Sequence, residues 1–335
     1  MTKRIEFIDL AKGICILLVI QIHVYGNTSV DFFNMMSLFR MPLYFVLSGL
    51  FFKTYDGFYS LFKKKTNKLL IPFFFVFIMT ILPLHVFFDY AIGNEHFSIN
   101  SLFFEEYGRL YHSVNGAVWF LLCLFQINLY FYFIIALSRK NNYLIILLSC
   151  ICGLVGYSID ASNCYLPLWI DSSLTALPFF VFGYEIRKYT DILENNYSVS
   201  DTVMFFTSFI ILIMVYCICG GADIFIGFDD NHYKIHILGL YMGGVSGTIC
   251  ILMVAKYLKN LPVVSYIGRY SIIVLCTHLL YIFFARNLFY QLHIPQEDVV
   301  VNTLLFIAVV VVSIPTIAFV KKYLPYWFAQ KDLWK

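Results

Sequence analysis

The stretch "RIEFIDLAKGICILLVIQIHVYG", residues 4–26, decides the fold. Its length and apolar character are those of a membrane-spanning helix, which needs about 20 predominantly apolar residues. The composition of the chain agrees, because 61% of its 335 residues are hydrophobic and only 13% are charged. An ordinary soluble domain is about half apolar and about a quarter charged. The sequence therefore predicts an integral membrane protein.

About ten apolar runs of similar length follow one another along the chain, and we expect each to form a transmembrane helix. They lack the alternation of apolar and polar residues that marks membrane β strands. The predicted fold is an all-α integral membrane protein, a bundle of about ten transmembrane helices in a single domain over residues 1–335. The predicted spans are 5–27, 36–52, 69–90, 115–138, 143–159, 172–187, 201–219, 235–255, 266–285 and 300–320, with a cytoplasmic tail at about 321–335.

Lys and Arg residues predict the orientation of these helices, because cytoplasmic loops carry an excess of them. With the amino terminus in the cytoplasm, eighteen of the 23 Lys and Arg residues fall on the cytoplasmic side and four on the outer side. We therefore expect both termini to be cytoplasmic. The outer loops at 91–114 and 220–233 are expected to be mostly solvated, with contact to an outer partner as the alternative.

Ionisable side chains form one polar stripe on the first helix. Lys12 and His23 are eleven residues apart. That spacing is close to three helical turns, so the two residues share a face and lie about 16 Å apart along the axis. Asp9 precedes Lys12 by three residues and is its neighbour on the helix. Such residues usually face the interior of a bundle or a water-filled cavity.

Spacing alone leaves two interpretations of this stripe open. In the first, Asp9 and Lys12 form an ion pair at the cytoplasmic interface, and His23 makes a hydrogen bond within the bundle. In the second, the helix lines a channel that has a charged entrance and a titratable group further in. Histidine suits general base catalysis because its ordinary pKa lies near neutrality.

The segment "FRMPLYFVLSGLFF", residues 39–52, adds a cation near this stripe. Arg40 is expected at the outer start of the second helix, with Pro42 in the first turn, where a missing N–H costs little. Arg40 either anchors the helix at the interface or stabilises an anion or a polarised carbonyl near His23. The pair Ser48-Gly49 favours close contact with another helix.

The segment "KKKTNKLLIPFFF", residues 63–75, carries a basic cluster that includes Lys64, Lys65 and Lys68. The cluster is expected at the cytoplasmic mouth of the third helix. One interpretation is an anchor that follows the positive-inside rule and meets anionic lipid. The other is a phosphate site, because coenzyme A carries a pyrophosphate and a ribose phosphate that lysine binds as a point charge.

With these segments, the chain resembles the acyltransferase 3 family of bacterial membrane acyltransferases over nearly all of its length. The first helix is similar to the family's signature of a basic residue, ten residues and a histidine, here Lys12 and His23. The other similar segments are "RMPLYFVLSG", "KTNKLLIP" with Lys65 and Lys68 at its two basic positions, "AVWFLLCLF", "ALPFFVFGYEIRKY" and "GRYSIIVLCTHLLY". The chain departs from the family where lysines replace an arginine pair, and where some members have an acidic residue in the helix of Trp119.

The resemblance implies transfer of an acyl group, usually acetyl, from cytoplasmic acyl-CoA to a hydroxyl of a surface or exported glycan. The acceptor would be a polysaccharide or a lipid-linked sugar, and the protein would lie in the bacterial cytoplasmic (inner) membrane. It also implies a role for His23 at the transfer step, and for Lys65 and Lys68, with Lys64 beside them, in binding the donor.

These residues combine into a hypothesis for the reaction. His23 takes the proton of the acceptor hydroxyl as a general base, or forms a covalent acyl-histidine intermediate. Arg40 stabilises the developing oxyanion, and Asp9 orients Lys12. His278, which lies within the ninth predicted helix, makes either a hydrogen bond between helices or a catalytic contact. Trp119 is interpreted as a packing residue, with a substrate platform as the alternative.

Other functions compete with this one. A glycan or lipid-linked sugar exporter of the same fold is the main alternative, and a non-catalytic sensor or scaffold is another. We expect membrane lipid as a partner, no nucleic acid and no metal, because the histidines show no ligand spacing except His232 and His236. The nine cysteines are interpreted as small buried hydrophobes, and a homo-oligomer stays open.

Overall fold

A computed structural model describes residues 5–26, 31–81, 115–161, 166–190, 192–193 and 196–334. Its regular structure is almost entirely helical. The helices are α1 (Glu6–Tyr25), α2 (Asp31–Leu50), α3 (Phe58–Lys65), α4 (Ile71–Val76), α5 (Trp119–Leu137), α6 (Asn142–Ala161), α7 (Ile170–Tyr189), α8 (Val199–Ile218), α9 (Ile237–Leu258), α10 (Pro262–Arg269), α11 (Ser271–Gln291) and α12 (Val299–Tyr323). The π-helical turns Thr66–Leu70 and Phe77–Ile81 follow α3 and α4.

Seven helices in the described part of the chain are long and apolar enough to cross a membrane, namely α1, α5, α6, α8, α9, α11 and α12. This confirms a nearly all-α, multi-pass membrane protein. Helices α2 and α7 are 20 residues long but less apolar, and they fall outside this set. The third predicted span, 69–90, extends past residue 81 and so lies partly outside the described residues. The predicted loop at 91–114 lies entirely outside them.

The start of the second helix differs from the prediction. The apolar run predicts a beginning near residue 36, but α2 begins at Asp31. The apolar run does not include the first turns of α2, because polar residues lie among them. A helix can extend beyond its apolar stretch into the membrane interface. As a result Arg40 lies in the middle of α2 and Pro42 lies in its interior. The expected positions of Arg40 at the helix start and of Pro42 in the first turn are both wrong.

Glycines bring two pairs of helices into backbone contact. A Cβ atom on Gly13 of α1 would lie 2.1 Å from the carbonyl oxygen of Val264 in α10, and one on Gly49 of α2 would lie 1.9 Å from that of Phe180 in α7. Neither contact leaves room for a side chain, since real Cβ atoms do not approach backbone this closely. The close contact expected at Gly49 is confirmed. These two contacts fix α1 and α2, which carry Lys12, His23 and Arg40.

A β-hairpin interrupts the helical pattern in the loop at 220–233. Strand β1 (Phe225–Gly227) pairs antiparallel with β2 (His232–Lys234). Phe228 in the turn is only 2% exposed, and its ring centroid is 5.8 Å from that of Phe45 in α2. The sequence did not predict these strands, because three residues are too few to show an alternating pattern. Part of the loop is therefore packed into the bundle, although solvation was expected for most of it.

Candidate active site

Two histidines from distant parts of the chain meet inside the bundle. His23 lies in the last turn of α1, and His278 lies in α11. Their ring centroids are 5.3 Å apart, with the ring planes tilted by 45°. His278 is fully buried, whereas His23 is exposed. His23 is thus the member of the pair that another molecule can reach, and His278 supports it from the core side.

The hydrogen bonds of His278 define its tautomer. Its Nδ1 atom is 2.9 Å from the carbonyl oxygen of Val274, one turn earlier in α11. A carbonyl oxygen only accepts, so Nδ1 must carry the proton and donate it. In the neutral ring Nε2 then holds the lone pair. Within the described part of the chain this Nε2 is buried without a hydrogen-bond partner. A buried acceptor beside the His23 ring is therefore available for a proton.

Arg40 adds a cation to this pair. Its carbonyl oxygen accepts a hydrogen bond of 3.1 Å from the thiol of Cys15, which fixes the backbone of α2 against α1. Its guanidinium interacts electrostatically with His23 and with Asp229 in the hairpin turn. One terminal nitrogen, Nη1, is buried, and no described residue accepts a hydrogen bond from it. That N–H group can donate to an anion that forms near His23.

The basic residues at the other end of the stripe meet at the end of α2. The Nζ atom of Lys12 is 5.5 Å from the ring centroid of Phe51, and that of Lys65 is 5.8 Å from the ring centroid of Phe52. Two consecutive phenylalanines thus each contact one cation, Phe51 one from α1 and Phe52 one from α3. Such cation–π contacts hold the ammonium groups over apolar surface without neutralising them. The sequence placed Lys12 and Lys65 on the same side of the membrane but could not predict this contact.

Asp9 lies on the wall of a separate cavity of about 320 Å³ between α1 and α10. The wall also includes Glu6 from α1 and Arg269 from α10. The proposed role of Asp9 in orienting Lys12 stays a prediction.

Lys64 and Lys68 face a different neighbour from Lys65. Both pair with Asp332 in the segment after α12, at Nζ–O distances of 2.7 Å and 3.1 Å. The predicted basic cluster therefore divides into two groups. Lys65 lies against the end of α2, whereas Lys64 and Lys68 bind a carboxylate from the same chain.

Trp119 begins α5 and is 8% exposed. Its ring meets that of Phe120 edge to face, at a centroid distance of 6.1 Å. The contact fits the interpretation of Trp119 as a packing residue. Nearby, the buried Asn115 donates a hydrogen bond of 2.8 Å to the carbonyl oxygen of Cys276, two residues before His278. Sequence reasoning missed Asn115, because a lone asparagine at a helix start carries no distinguishing pattern.

Arg286 is a second residue that sequence reasoning missed. Its Nη2 atom donates to the carbonyl oxygen of Val24 and to the side-chain oxygen of Asn302, each at 2.6 Å. Arg286 thereby joins the last turn of α1, beside His23, to α11 and α12. The one signal in the sequence was its place among the few cations predicted on the outer side. Arg286 holds the helix end that presents His23.

Within the described ranges, no group of three His, Cys, Asp or Glu side chains is arranged to hold a metal ion. The pair singled out by its spacing has other contacts. His232 lies 2.9 Å from a carboxylate oxygen of Asp160, and the side chain of His236 accepts a hydrogen bond from the backbone N–H of Leu238 at the start of α9. Both histidines therefore stabilise the hairpin and its junction with α9.

The candidate site combines three groups. These are the reachable imidazole of His23, the buried imidazole of His278 beside it, and the guanidinium of Arg40 with its unused donor. An imidazole can accept the proton of a hydroxyl, and a guanidinium can stabilise a developing negative charge. Groups of these kinds can together serve the transfer of an acyl group to a hydroxyl.

Comparisons with known proteins agree with this chemistry. A family model described as "Acyltransferase domain" (Acyl_transf_3) matches residues 5–319, which is nearly the whole chain. No curated protein and no solved structure matches. The family match covers the helices that bear His23, Arg40, Lys65 and His278. The chain therefore belongs to the acyltransferase 3 family and is a multi-pass membrane acyltransferase.

Proposed function

We propose that this acyltransferase moves an acyl group, in the first instance acetyl, from acyl-CoA to a hydroxyl of a surface or exported glycan. The acceptor is a polysaccharide or a lipid-linked sugar, and the enzyme lies in the cytoplasmic membrane of a bacterium. The observation that carries the proposal is the contact between the reachable His23 and the buried His278, with Arg40 beside them.

The donor approaches from the end of the bundle where the basic residues lie. Its phosphates meet Lys64, Lys65 and Lys68, whose ammonium groups act as point charges. Its pantetheine arm runs past Lys12. The contacts of Lys12 with Phe51 and of Lys65 with Phe52 support this path, because the two phenylalanines are consecutive in the chain. Lys12 and His23 are about 16 Å apart along α1, which an extended pantetheine arm can span.

The transfer step takes place at His23. The imidazole accepts the proton of the acceptor hydroxyl while that oxygen attacks the thioester carbonyl. The resulting oxyanion is stabilised by the unused N–H of Arg40. Collapse of this intermediate breaks the carbon–sulfur bond, and the departing thiolate takes the proton from His23. The His278 ring packs against the His23 ring at a centroid distance of 5.3 Å, and its unpartnered Nε2 can accept a hydrogen bond from His23 as the reaction proceeds.

Incorporation of labelled acetyl from acetyl-CoA into a glycan by the purified enzyme in lipid vesicles tests this proposal. We expect His23→Asn to abolish incorporation, because asparagine cannot act as a base. His293→Asn is the matched control, since His293 lies on an exposed turn at a φ of 56°, a left-handed conformation that asparagine tolerates.

Two results would contradict the proposal. The first is full acetyl incorporation by His23→Asn. The second is movement of the glycan across the vesicle membrane without acetyl incorporation by the wild-type protein, which would indicate an exporter.

A further inference from the structure

The segment that follows α12 folds back onto α3. The ring of Trp334 meets that of Tyr59 edge to face at a centroid distance of 5.8 Å. Trp334 also exchanges two backbone hydrogen bonds with the side chain of Asn67, at 2.7 Å and 2.8 Å. Further back, Trp327 stacks on Phe75 at 5.0 Å. These contacts dock the C-terminal segment, residues 325–334, along the basic cluster.

Docking places one carboxylate between two lysines of that cluster. Lys64 and Lys68 are four residues apart and so lie on one face of the helical segment. Their Nζ atoms are 2.7 Å and 3.1 Å from the two side-chain oxygens of Asp332. Lys68 also donates to the carbonyl oxygen of Ala329 at 2.6 Å. An anion with two acceptor oxygens is thus bound where a phosphate of the donor is proposed to bind.

We propose that the C-terminal segment is an internal competitor of the acyl donor, in which the Asp332 carboxylate occupies the site of a donor phosphate and leaves when the donor binds. This inference rests on the proposed function, because it takes Lys64 and Lys68 as part of the donor site. It goes beyond that function by assigning the segment a regulatory role.

The charges involved favour exchange. The hydrogen bond from Lys64 holds the pKa of Asp332 below its ordinary value, so Asp332 is a carboxylate anion at neutral pH. The side chains of Lys64, Lys68 and Asp332 are 40%, 36% and 35% exposed, so water screens their ion pairs and keeps them weak. The ribose phosphate of the donor is a monoester with more negative charge than a carboxylate and three acceptor oxygens, and it can displace a single carboxylate. Exchange of the Asp332 carboxylate for a donor phosphate is therefore favourable and reversible.

Binding of coenzyme A to the full-length protein, measured by titration calorimetry, tests the proposal. Asp332→Asn keeps the shape of the side chain but removes the competing charge. Because a half-exposed ion pair contributes little, we expect its dissociation constant for coenzyme A to fall by roughly threefold to tenfold. Trp334→Ala, which loosens the docked segment without changing charge, is expected to shift affinity in the same direction.

Asp56→Asn is the matched control, because Asp56 is an exposed carboxylate in the turn just before α3. The same loss of charge there should leave the dissociation constant unchanged. A double-mutant cycle adds a second check. In a Lys68→Gln background, Asp332→Asn should give a smaller gain in affinity, because one of the two contacts is already gone.

The outcomes separate this inference from the proposed function. If wild type binds coenzyme A and Asp332→Asn binds it equally or more weakly, competition is wrong, while acyl-CoA remains the donor. If neither protein binds coenzyme A, the proposed donor is wrong and the competition model falls with it. An equal gain in Asp56→Asn and Asp332→Asn also overturns the competition, since it would show a general charge effect.

Discussion

His278 is the residue whose chemistry the structure defines most narrowly. Its Nδ1 proton is committed to the carbonyl oxygen of Val274, so only Nε2 is left to act. A residue that served only for packing would have no need of that atom, and phenylalanine would fill the same volume. The buried position of Nε2 beside the His23 ring instead favours a role in orienting the reactive imidazole.

We therefore predict that His278→Ala lowers kcat by about 100-fold, the low end of what general base catalysis contributes, because His23 is then no longer oriented to act as the base. The KM for acetyl-CoA should change little, because the basic cluster lies elsewhere. Added imidazole should restore part of kcat, since it can occupy the space left by the side chain. The measurement is steady-state acetyl transfer with and without imidazole.

A purely structural role for His278 gives a different result. Activity would then be lost together with thermal stability, and imidazole would have no effect. His278→Phe distinguishes the two roles further, because it preserves ring volume but not the nitrogen. Wild-type activity in the His278→Phe variant would show that Nε2 is not needed.

At the scale of helices, glycines decide how closely α2 and α7 approach. A Cβ atom on Gly183 would lie 2.1 Å from the carbonyl oxygen of Val46, so the helices must separate to accept alanine. We predict that Gly183→Ala destabilises the protein by about 1–3 kcal/mol, as overpacking does. Thermal unfolding in detergent should show a lower midpoint than wild type.

Gly243→Ala in α9 provides the comparison. There the nearest atom to an added Cβ is a methyl carbon of Leu38 at 2.9 Å, the far end of a flexible side chain. The side chain can move aside, so the midpoint should fall less. If Gly183→Ala and Gly243→Ala lowered the unfolding midpoint equally, the backbone contact between α2 and α7 would not be the reason for the loss of stability.

The hairpin predicts a pH effect at the same scale. Burial, together with the neighbouring Asp229, raises the pKa of Asp230 from 3.8 to about 6. The folded protein therefore holds this proton up to about pH 6, whereas the unfolded chain releases it near pH 4. Because the folded state binds more protons between these values, the free energy of unfolding falls as pH rises through this window.

Asp230→Asn should abolish this fall in the free energy of unfolding with rising pH. Its side-chain oxygen can still accept the hydrogen bond that the backbone N–H of His232 donates to Asp230. We expect the variant to unfold at a higher temperature than wild type at about pH 7 and at about the same temperature near pH 4. Asp223→Asn, on an exposed residue in the preceding turn, is the control and should show no such dependence. A constant difference across pH would refute the explanation.

Across the whole molecule, the local features of the fold could be predicted and the distant contacts could not. Apolar run length is a local property, and it located α1, α5 to α9 and α12 to within a few residues. It placed the start of α2 too late, and its single span at 266–285 covers parts of both α10 and α11. The eleven-residue spacing also identified Lys12 and His23 as one stripe. By contrast, the pairing of His23 with His278 joins residues 255 positions apart, and Lys64 with Asp332 joins residues 268 apart. Helical periodicity contains no information about such partners.

The position of Arg40 shows a second limit. A span was expected to begin where the chain becomes continuously apolar, but α2 starts earlier, at Asp31. The physical reason is that backbone hydrogen bonds, not hydropathy, determine where a helix begins. As a result, the prediction placed Arg40 at the outer end of the helix, whereas it lies in the middle. Its contact with Cys15 was therefore not predicted.

Contacts between basic residues and other parts of the chain distinguish one end of the bundle from the other. Lys12 near the start of α1 and Lys65 at the end of α3 meet the end of α2, and Lys68 meets Asp332 in the C-terminal segment. The first half of α1, the basic cluster and the C-terminal segment therefore share one end. Because the sequence predicts most of the Lys and Arg residues on the side of the amino terminus, we predict that this end faces the cytoplasm.

Single cysteines in an otherwise cysteine-free variant test this orientation. Lys331→Cys in the C-terminal segment and Lys234→Cys in the hairpin both replace exposed residues. A membrane-impermeant maleimide should label Lys234→Cys in intact protoplasts, but should label Lys331→Cys only after lysis. The reverse pattern would place the basic cluster outside, where acyl-CoA does not occur, and the proposed donor would have to be abandoned. Labelling of both sites before lysis would mean that the hairpin and the C-terminal segment lie on the same side, against the alternating order of the helices.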